Sequence, residues 1–417
     1  MNVLLLGNGF DLQYHLPTKY NNFLHTVEYL INNTLIEPLT VGDVFSAETL
    51  IEKDPFIEEC YNANKSLFDS ATLDIKKINE LIELTKDNIW FKYLLESFNK
   101  DVGWIDFERE IATVINALHE FLNKTNVKFD ENHISESPLN RHIVKKFNYF
   151  HTQTKPSENK MGVISLAQYK INDEFVLEYP LGSNIKKVNI EKIIKTLADE
   201  LYNFAKALKY YLYYFVENTF DITSAAQYLE KYKVFLHNDY IVTLNYTNTF
   251  EKIYFDDGDV FHLHGNVNDK IVLGVNPDAS DKAETVDTSF LAFKKYYQRT
   301  MLDTDTEYIK WLTERYDGAE PDVHILVMGH SLDVTDEDII RDLFGLASKI
   351  TILYHSKDAK SSYITNLVNI YGKAGFDELR EGRALTFLPM SMDFSKFEEQ
   401  QLGNSYNNYQ KQIEDAL

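Results

Sequence analysis

The chain has a single cysteine, Cys60, among its 417 residues. One thiol closes no internal disulfide, and so long a chain with so little cysteine fits a reducing compartment. Cys60 reads as a buried or incidental residue rather than a catalytic nucleophile. Basic residues are also short: 42 Lys and Arg stand against 64 Asp and Glu, a formal charge of −22. A general nucleic-acid binder shows a basic face, so that class is disfavoured. An anionic small ligand is not, because helix N-termini and backbone N–H groups hold phosphate without net positive charge. Long apolar runs are missing as well. No stretch approaches the roughly 18 residues that a membrane span needs. The opening segment lacks the basic start of a secretion signal. The expectation is a soluble, cytoplasmic protein with no membrane partner.

What is present begins at the second residue. "NVLLL", residues 2–6, is short, continuous and apolar, as a strand buried on both faces should be. Thr18 is placed to cap a following helix, in which Tyr20, Phe23, Leu24, Val27, Leu30 and Ile31 keep helical spacing. From about 45 to 235 glycine is scarce and helical patterns dominate, among them "ATLDIKKINELIELT", "IWFKYLLESFNK", "IDFEREIATVINALHEFLN" and "IEKIIKTLADELYNFAKALKYYLYYFVENTF". The polar stretch between about 125 and 160 reads as loops. The aromatic run "YYLYYFVE" at 210–217 reads as a helix packed on the rest of the protein rather than a partner surface.

After residue 235 short apolar runs return: "DYIVTLNYT", "VFHLHG", "KIVLGVN", "VHILVMGHS", "KITILYHS" and "ALTFL". Their alternation with helix-compatible segments predicts a parallel sheet with helices on its faces. Residues 1–30 and 235–417 then form one α/β nucleotide-binding domain, and 31–234 a mainly helical insertion.

Four stretches carry chemistry. The first is "LLLGNGFDL", a strand followed by Gly7-Asn8-Gly9, half of a dinucleotide fingerprint. Gly7 permits a tight turn, and Gly9 lets the backbone approach a pyrophosphate. The third glycine is absent, and an ordinary structural turn stays open as a reading. Asp11 repels phosphate, so it faces a ribose hydroxyl, caps the turn or orients a water. The second is "IVTLNYT", which ends in Asn245, Tyr246 and Thr247 at the carboxyl end of a strand, where ligands bind in parallel sheets.

In the third, "VFHLHG", His262 and His264 share one face if the strand runs through them. No further ligand sits at a standard metal spacing, so a single active-site histidine, His264, is favoured over a metal. The fourth is Gly329-His330-Ser331-Leu332 at the end of "VHILVMGHS". Asp333 breaks the G-x-S-x-G pattern of serine hydrolases, and Ser331 reads as a ligand-binding hydroxyl.

In this order the stretches resemble the sirtuin-type NAD-binding fold, with its G-A-G-x-S and G-I-P-D-F-R, then Q-N-I-D, H-G and G-T-S-L. "GNGFDLQYHLPTKY" runs in step with the first, with Pro17 at the family proline; "LNYT", "HLHG" and "GHSL" stand for the others. More closely, the whole chain resembles the AbiH family of bacterial abortive-infection proteins. That family is similar in its G-N-G-F-D-L…L-P-T-x-Y start, in W-x-D-x-E (here Trp104, Asp106, Glu108), and in N-Y-T, H-G and G-H-S-L. His15 stands where both families have glycine. Asp11, Tyr20 and Thr247 replace the sirtuin serine, arginine and aspartate. These departures, and the lack of four zinc-binding cysteines, point away from protein deacetylation.

The resemblance implies a sirtuin-like, Rossmann-type parallel sheet with a large helical insertion, and NAD⁺ as substrate. Water would cleave the nicotinamide–ribose bond, depleting NAD⁺ in a phage-infected cell. Asn245, His264 and Asp11 would carry the chemistry. Gly7, Asn8, Gly9, Phe10, Thr247, Gly329, His330 and Ser331 would hold the nucleotide, with no metal. A phage-derived trigger and a second copy of the chain are candidate partners. Three rivals stand beside this reading: a sensor of NAD⁺ or ADP-ribose without turnover, a metal-dependent nuclease or nucleotide hydrolase, and an interaction module.

Overall fold

The protein is described here by a computed structural model covering residues 1–98, 106–125, 150–159, 162–171, 175–177, 187–219, 239–254, 259–276, 288–316, 322–382 and 384–391. Strand β1 (Asn2–Leu6) lies in the middle of a six-stranded, all-parallel sheet. Two antiparallel pairs lie outside it: β2 (Phe150–Asn159) with β3 (Gly162–Ile171), and β4 (Val176–Leu177) with β5 (Lys187–Val188). The remaining sheet strands are β6 (Tyr240–Thr243), β7 (Asp259–His262), β8 (His324–Met328), β9 (Lys349–Tyr354) and β10 (Leu385–Pro389). Their spatial order is β7-β6-β1-β8-β9-β10. Counted within the sheet, this is the 3-2-1-4-5-6 order of dinucleotide-binding folds, and it reverses between β1 and β8.

The alternation inside each strand decides which layer it feeds. Leu4 and Leu6 of β1 join Ile241, Leu326, Met328, Leu353 and Leu388 in one apolar cluster. Val3 and Leu5 point the other way, with Val242, Ile325, Val327, Ile350 and Ile352. The first cluster continues without a break into the helices before β6, including Phe23, Trp90, Phe107 and Phe204. The second is closed by helices Thr306–Tyr316, Glu337–Leu346 and Lys357–Gly382. Each fully buried Leu or Val contributes about 1.5–3 kcal/mol, and β1 buries four.

The long helix Ile190–Leu212 shows why the middle of the chain is helical. Asn189 caps it by accepting from the Lys192 N–H at 3.1 Å, and Ile193, Leu197, Leu201, Phe204, Leu208 and Tyr211 form one buried stripe. It ends in a π-helical turn, Tyr213–Glu217, with Phe215 and Val216 buried. Tyr211 and Phe215 of the aromatic run are thus core, and Tyr210, Tyr213 and Tyr214 pack half-buried against it.

Three expectations are corrected. Thr18 does not cap the next helix. Helix Tyr20–Asn32 starts from Lys19, whose N–H donates to Asn22 Oδ1 at 2.9 Å. The stretch 150–159 is one arm of a ladder with residues 162–171, not a loop; residues 126–149 lie outside the described residues. Its polar composition hides a strand whose pairing is made by backbone groups. "KIVLGVN" adds no strand to the sheet. It forms isolated bridges, Ile271 to Gly265 and Val275 to Lys294. Gly274 presses on the segment around Phe293, where a Cβ would lie 2.5 Å from the Phe293 carbonyl oxygen. Among the described residues, no helix is long and apolar enough to cross a membrane.

Candidate active site

The pairing of Leu6 with Met328 sets the loops after β1 and β8 side by side. The Gly9 N–H donates to the Gly329 carbonyl at 2.8 Å, and the Phe10 N–H to the Gly7 carbonyl at 2.8 Å. A Cβ on Gly7 would sit 2.6 Å from His330 Cα, and one on Gly9 2.7 Å from the Gly329 oxygen. Gly329 has φ +72°, and a Cβ there would lie 2.2 Å from the Phe10 nitrogen. Gly9 thus makes a close backbone approach to Gly329. A side chain at position 9 meets protein backbone before it meets any ligand.

A cavity of about 600 Å³ opens over these loops, within the usual range for small-molecule sites. Its walls include Gly7, Asn8, Gly9, Asp11, Asn245, Thr247, His264, Gly329, His330 and Ser331. Sequence reasoning thus placed its candidates around one space, with one exception. Phe10 is not on that wall; its ring is buried against Tyr14, Phe250 and Tyr254. The helices before β6 add Tyr20, Asp106, Glu108, Leu208 and Leu212.

Asp11 is 1% exposed. Its Oδ2 accepts from the Thr247 hydroxyl at 2.6 Å, and Oδ1 has no hydrogen-bond partner among the described residues. Burial, only partly offset by the Thr247 and Thr249 hydroxyls, pushes its pKa up to about 7. The folded protein thus keeps a proton that the unfolded chain releases near pH 4. The stability tied to this group is full below that pH and is lost as pH rises towards about 7. Asp11→Asn retains an acceptor for Thr247 and removes the titration. We expect it to unfold at higher denaturant than the parent at pH 8, by roughly 2–4 kcal/mol, with the gap closing at pH 4. A gap that does not depend on pH would refute this account of Asp11.

Asn245 reaches across the sheet, its Nδ2 donating to the Gly7 carbonyl at 3.1 Å. Its own carbonyl lies 3.3 Å from His262 Nδ1, and His262 Nε2 pairs with Glu251 at 2.6 Å. The two histidines therefore do not share a strand face. Strand β7 ends at His262, and His264 lies beyond it in a turn, before Gly265 with φ +71°. His262 supports Asn245, whereas His264 lines the cavity.

A buried charge cluster lies beneath the cavity. Lys295, 0% exposed, places Nζ 2.6 Å from Glu108 Oε2 and 2.6 Å from Asp336 Oδ1. Burial alone would lower the Lys295 pKa, but Asp336 and Glu108 outweigh it and hold the ammonium charged. Asp336 is likewise held well below the carboxylate range against burial, chiefly by Lys295, then by His264 and His330. Glu108 goes the other way. Burial outweighs Lys295 and pushes its pKa up to about 8, so of the two carboxyls it keeps the proton. His264 Nε2 lies 3.3 Å from Asp336 Oδ1, an electrostatic contact without hydrogen-bond alignment. Burial and then Lys295 push its pKa down to about 4, leaving the ring neutral at pH 7. His330 Nδ1 accepts from the Leu332 N–H at 2.9 Å, so its ring proton is on Nε2, 3.3 Å from Asp336 Oδ2.

Sequence reasoning missed Lys295 and Asp336. Asp336 lies five residues past Ser331 with no motif to mark it, and Lys295 lies in "FKKYYQRT", which carries no motif. Glu108 was visible through W-x-D-x-E without a role, and Trp104 lies outside the described residues. Compared with known proteins, the family model described as "Bacteriophage abortive infection AbiH" matches residues 3–355. No curated protein and no solved structure matches the chain.

Proposed function

The chain belongs to the AbiH family of bacteriophage abortive-infection proteins, and from that premise we propose that it acts by hydrolysing NAD⁺ to nicotinamide and ADP-ribose. The observation that carries the reading is the position of the cavity. It lies at the carboxyl ends of β1 and β8, where the strand order reverses, and Asn245, His264 and Ser331 meet there. Water adds to ribose C1′ while the C1′–N bond breaks, and the bonding pair neutralises the departing pyridinium, so the leaving group needs no acid. The water's proton passes to a base and then to solvent.

In this reading His264, neutral at pH 7, accepts that proton. Asn245, tied to Gly7, orients the water or a ribose hydroxyl. Ionised Asp11 supplies negative field to an oxocarbenium-like transition state. Thr247, Ser331 and the glycine loops surround the ribose and pyrophosphate. Loss of NAD⁺ would then stop the infected cell from supporting phage replication. The test is to incubate purified protein with NAD⁺, with and without phage lysate, and measure nicotinamide and ADP-ribose. Release of both supports hydrolysis. Tight NAD⁺ binding with no product in either condition would replace it with a sensor.

A further inference from the structure

The buried cluster ends on the histidine to which the proposed reaction gives the proton-accepting role, and the inference rests on that reading only for its kinetic consequence. Asp336 has two oxygens and three buried partners. Oδ1 faces Lys295 Nζ at 2.6 Å and His264 Nε2 at 3.3 Å; Oδ2 faces His330 Nε2 at 3.3 Å. The Thr335 carbonyl also accepts from Lys295 at 3.0 Å, fixing the ammonium beside the start of helix Glu337–Leu346. Glu108, from the N-terminal turn of helix Phe107–Thr125, holds Lys295 from the opposite side. Asp336 and His264 both line the cavity.

We propose that Asp336 is a positioning residue for His264, locked in place by Lys295 and Glu108, so that the imidazole carries its proton on Nε2 and keeps Nδ1 as the proton acceptor. The physical warrant is the one general to histidine bases: a carboxylate opposite one ring nitrogen fixes the tautomer and frees the other nitrogen. Catalytic hydrogen bonds are often as long as this 3.3 Å contact in ligand-free structures. The clamp also tolerates a test of its own centre. With Asp336 replaced by asparagine, Lys295 still faces the Glu108 carboxyl at 2.6 Å, which gives up its proton to become the counterion, so the buried charges remain balanced.

The experiment uses the full-length protein with ¹⁵N-labelled histidine. In the parent, nitrogen shifts should report His264 as the Nε2–H tautomer. In Asp336→Asn, His264 should become a tautomer mixture. Nicotinamide release should lose roughly 10–100-fold in kcat, with KM within about twofold. A parent His264 with its proton on Nδ1 overturns the proposal without any variant. So does an Asp336→Asn protein whose tautomer and kcat are both those of the parent. If the parent releases no nicotinamide, the hydrolase reading fails, and the tautomer measurement still decides the role of Asp336.

Discussion

Lys295→Met is expected to cost about 3–5 kcal/mol of folding stability, the penalty for leaving a buried charge without its partner. The side chain is 0% exposed and stands between Glu108 and Asp336 at 2.6 Å from each. Methionine fills much of the volume, so the loss is one of charge rather than packing. Glu108→Gln and Asp336→Asn should each cost far less, because each leaves one carboxylate for the one ammonium. The sign with pH follows. Without Lys295 both carboxyls lose their cation: the folded pKa of Asp336, held down chiefly by Lys295, rises, and that of Glu108, already high, rises further. The variant is then least handicapped below about pH 4 and loses stability as pH rises. Denaturant unfolding at pH 4 and pH 8 measures this. A Lys295→Met protein as stable as the parent at pH 8 would show that the cluster carries no energetic burden.

His264→Ala and Asn245→Ala should each lower nicotinamide release by at least 100-fold, the usual scale for removing a general base or its water-orienting partner. The double variant should be hardly slower than either single one, since groups that act as a unit are strongly non-additive. The rate of the parent should climb as pH rises through about 7, as Asp11 ionises, and that limb should vanish in Asp11→Asn. His262→Ala removes the pair with Glu251 and the contact to the Asn245 carbonyl. It should lose stability, while leaving more activity than His264→Ala. Full cleavage by His264→Ala alongside loss in His262→Ala would assign the base to the other histidine. Full cleavage by both would remove histidine from the mechanism.

The sheet was largely readable because a parallel strand buried on both faces shows as a continuous apolar run, as in "NVLLL" and "HILVM". Where the same rule over-reached, at "KIVLGVN", the apolar residues pack into loops instead of pairing with a strand. The strand at 150–159 was unreadable for the opposite reason: its pairing is carried by backbone hydrogen bonds, and its composition says loop. At the site, the residues at strand ends could be placed from the sequence because the parallel sheet itself dictates where ligands go. Lys295 could not. A lysine in an amphipathic segment reads as solvent-facing. Its partners at 108 and 336 are far away in the chain, and no local pattern announces a buried charge. The packing of Gly9 on Gly329 was not readable either, because one strand end does not reveal what the other places beside it.

The central place of β1 bears on when the protein can act. Val3 lies opposite Tyr240 on one side and Ile325 on the other, so β1 leaves the ribosome long before the two strands that flank it in the sheet. At about 5–20 residues per second, roughly 10–50 s separates β1 from even its nearer neighbour. The wall of the cavity formed by Gly329, His330 and Ser331 arrives later still. A nascent or prematurely ended chain therefore exposes an apolar strand, a target for chaperones and proteases, but holds no assembled site. The cavity can therefore take shape only after residues 329–331 have been made.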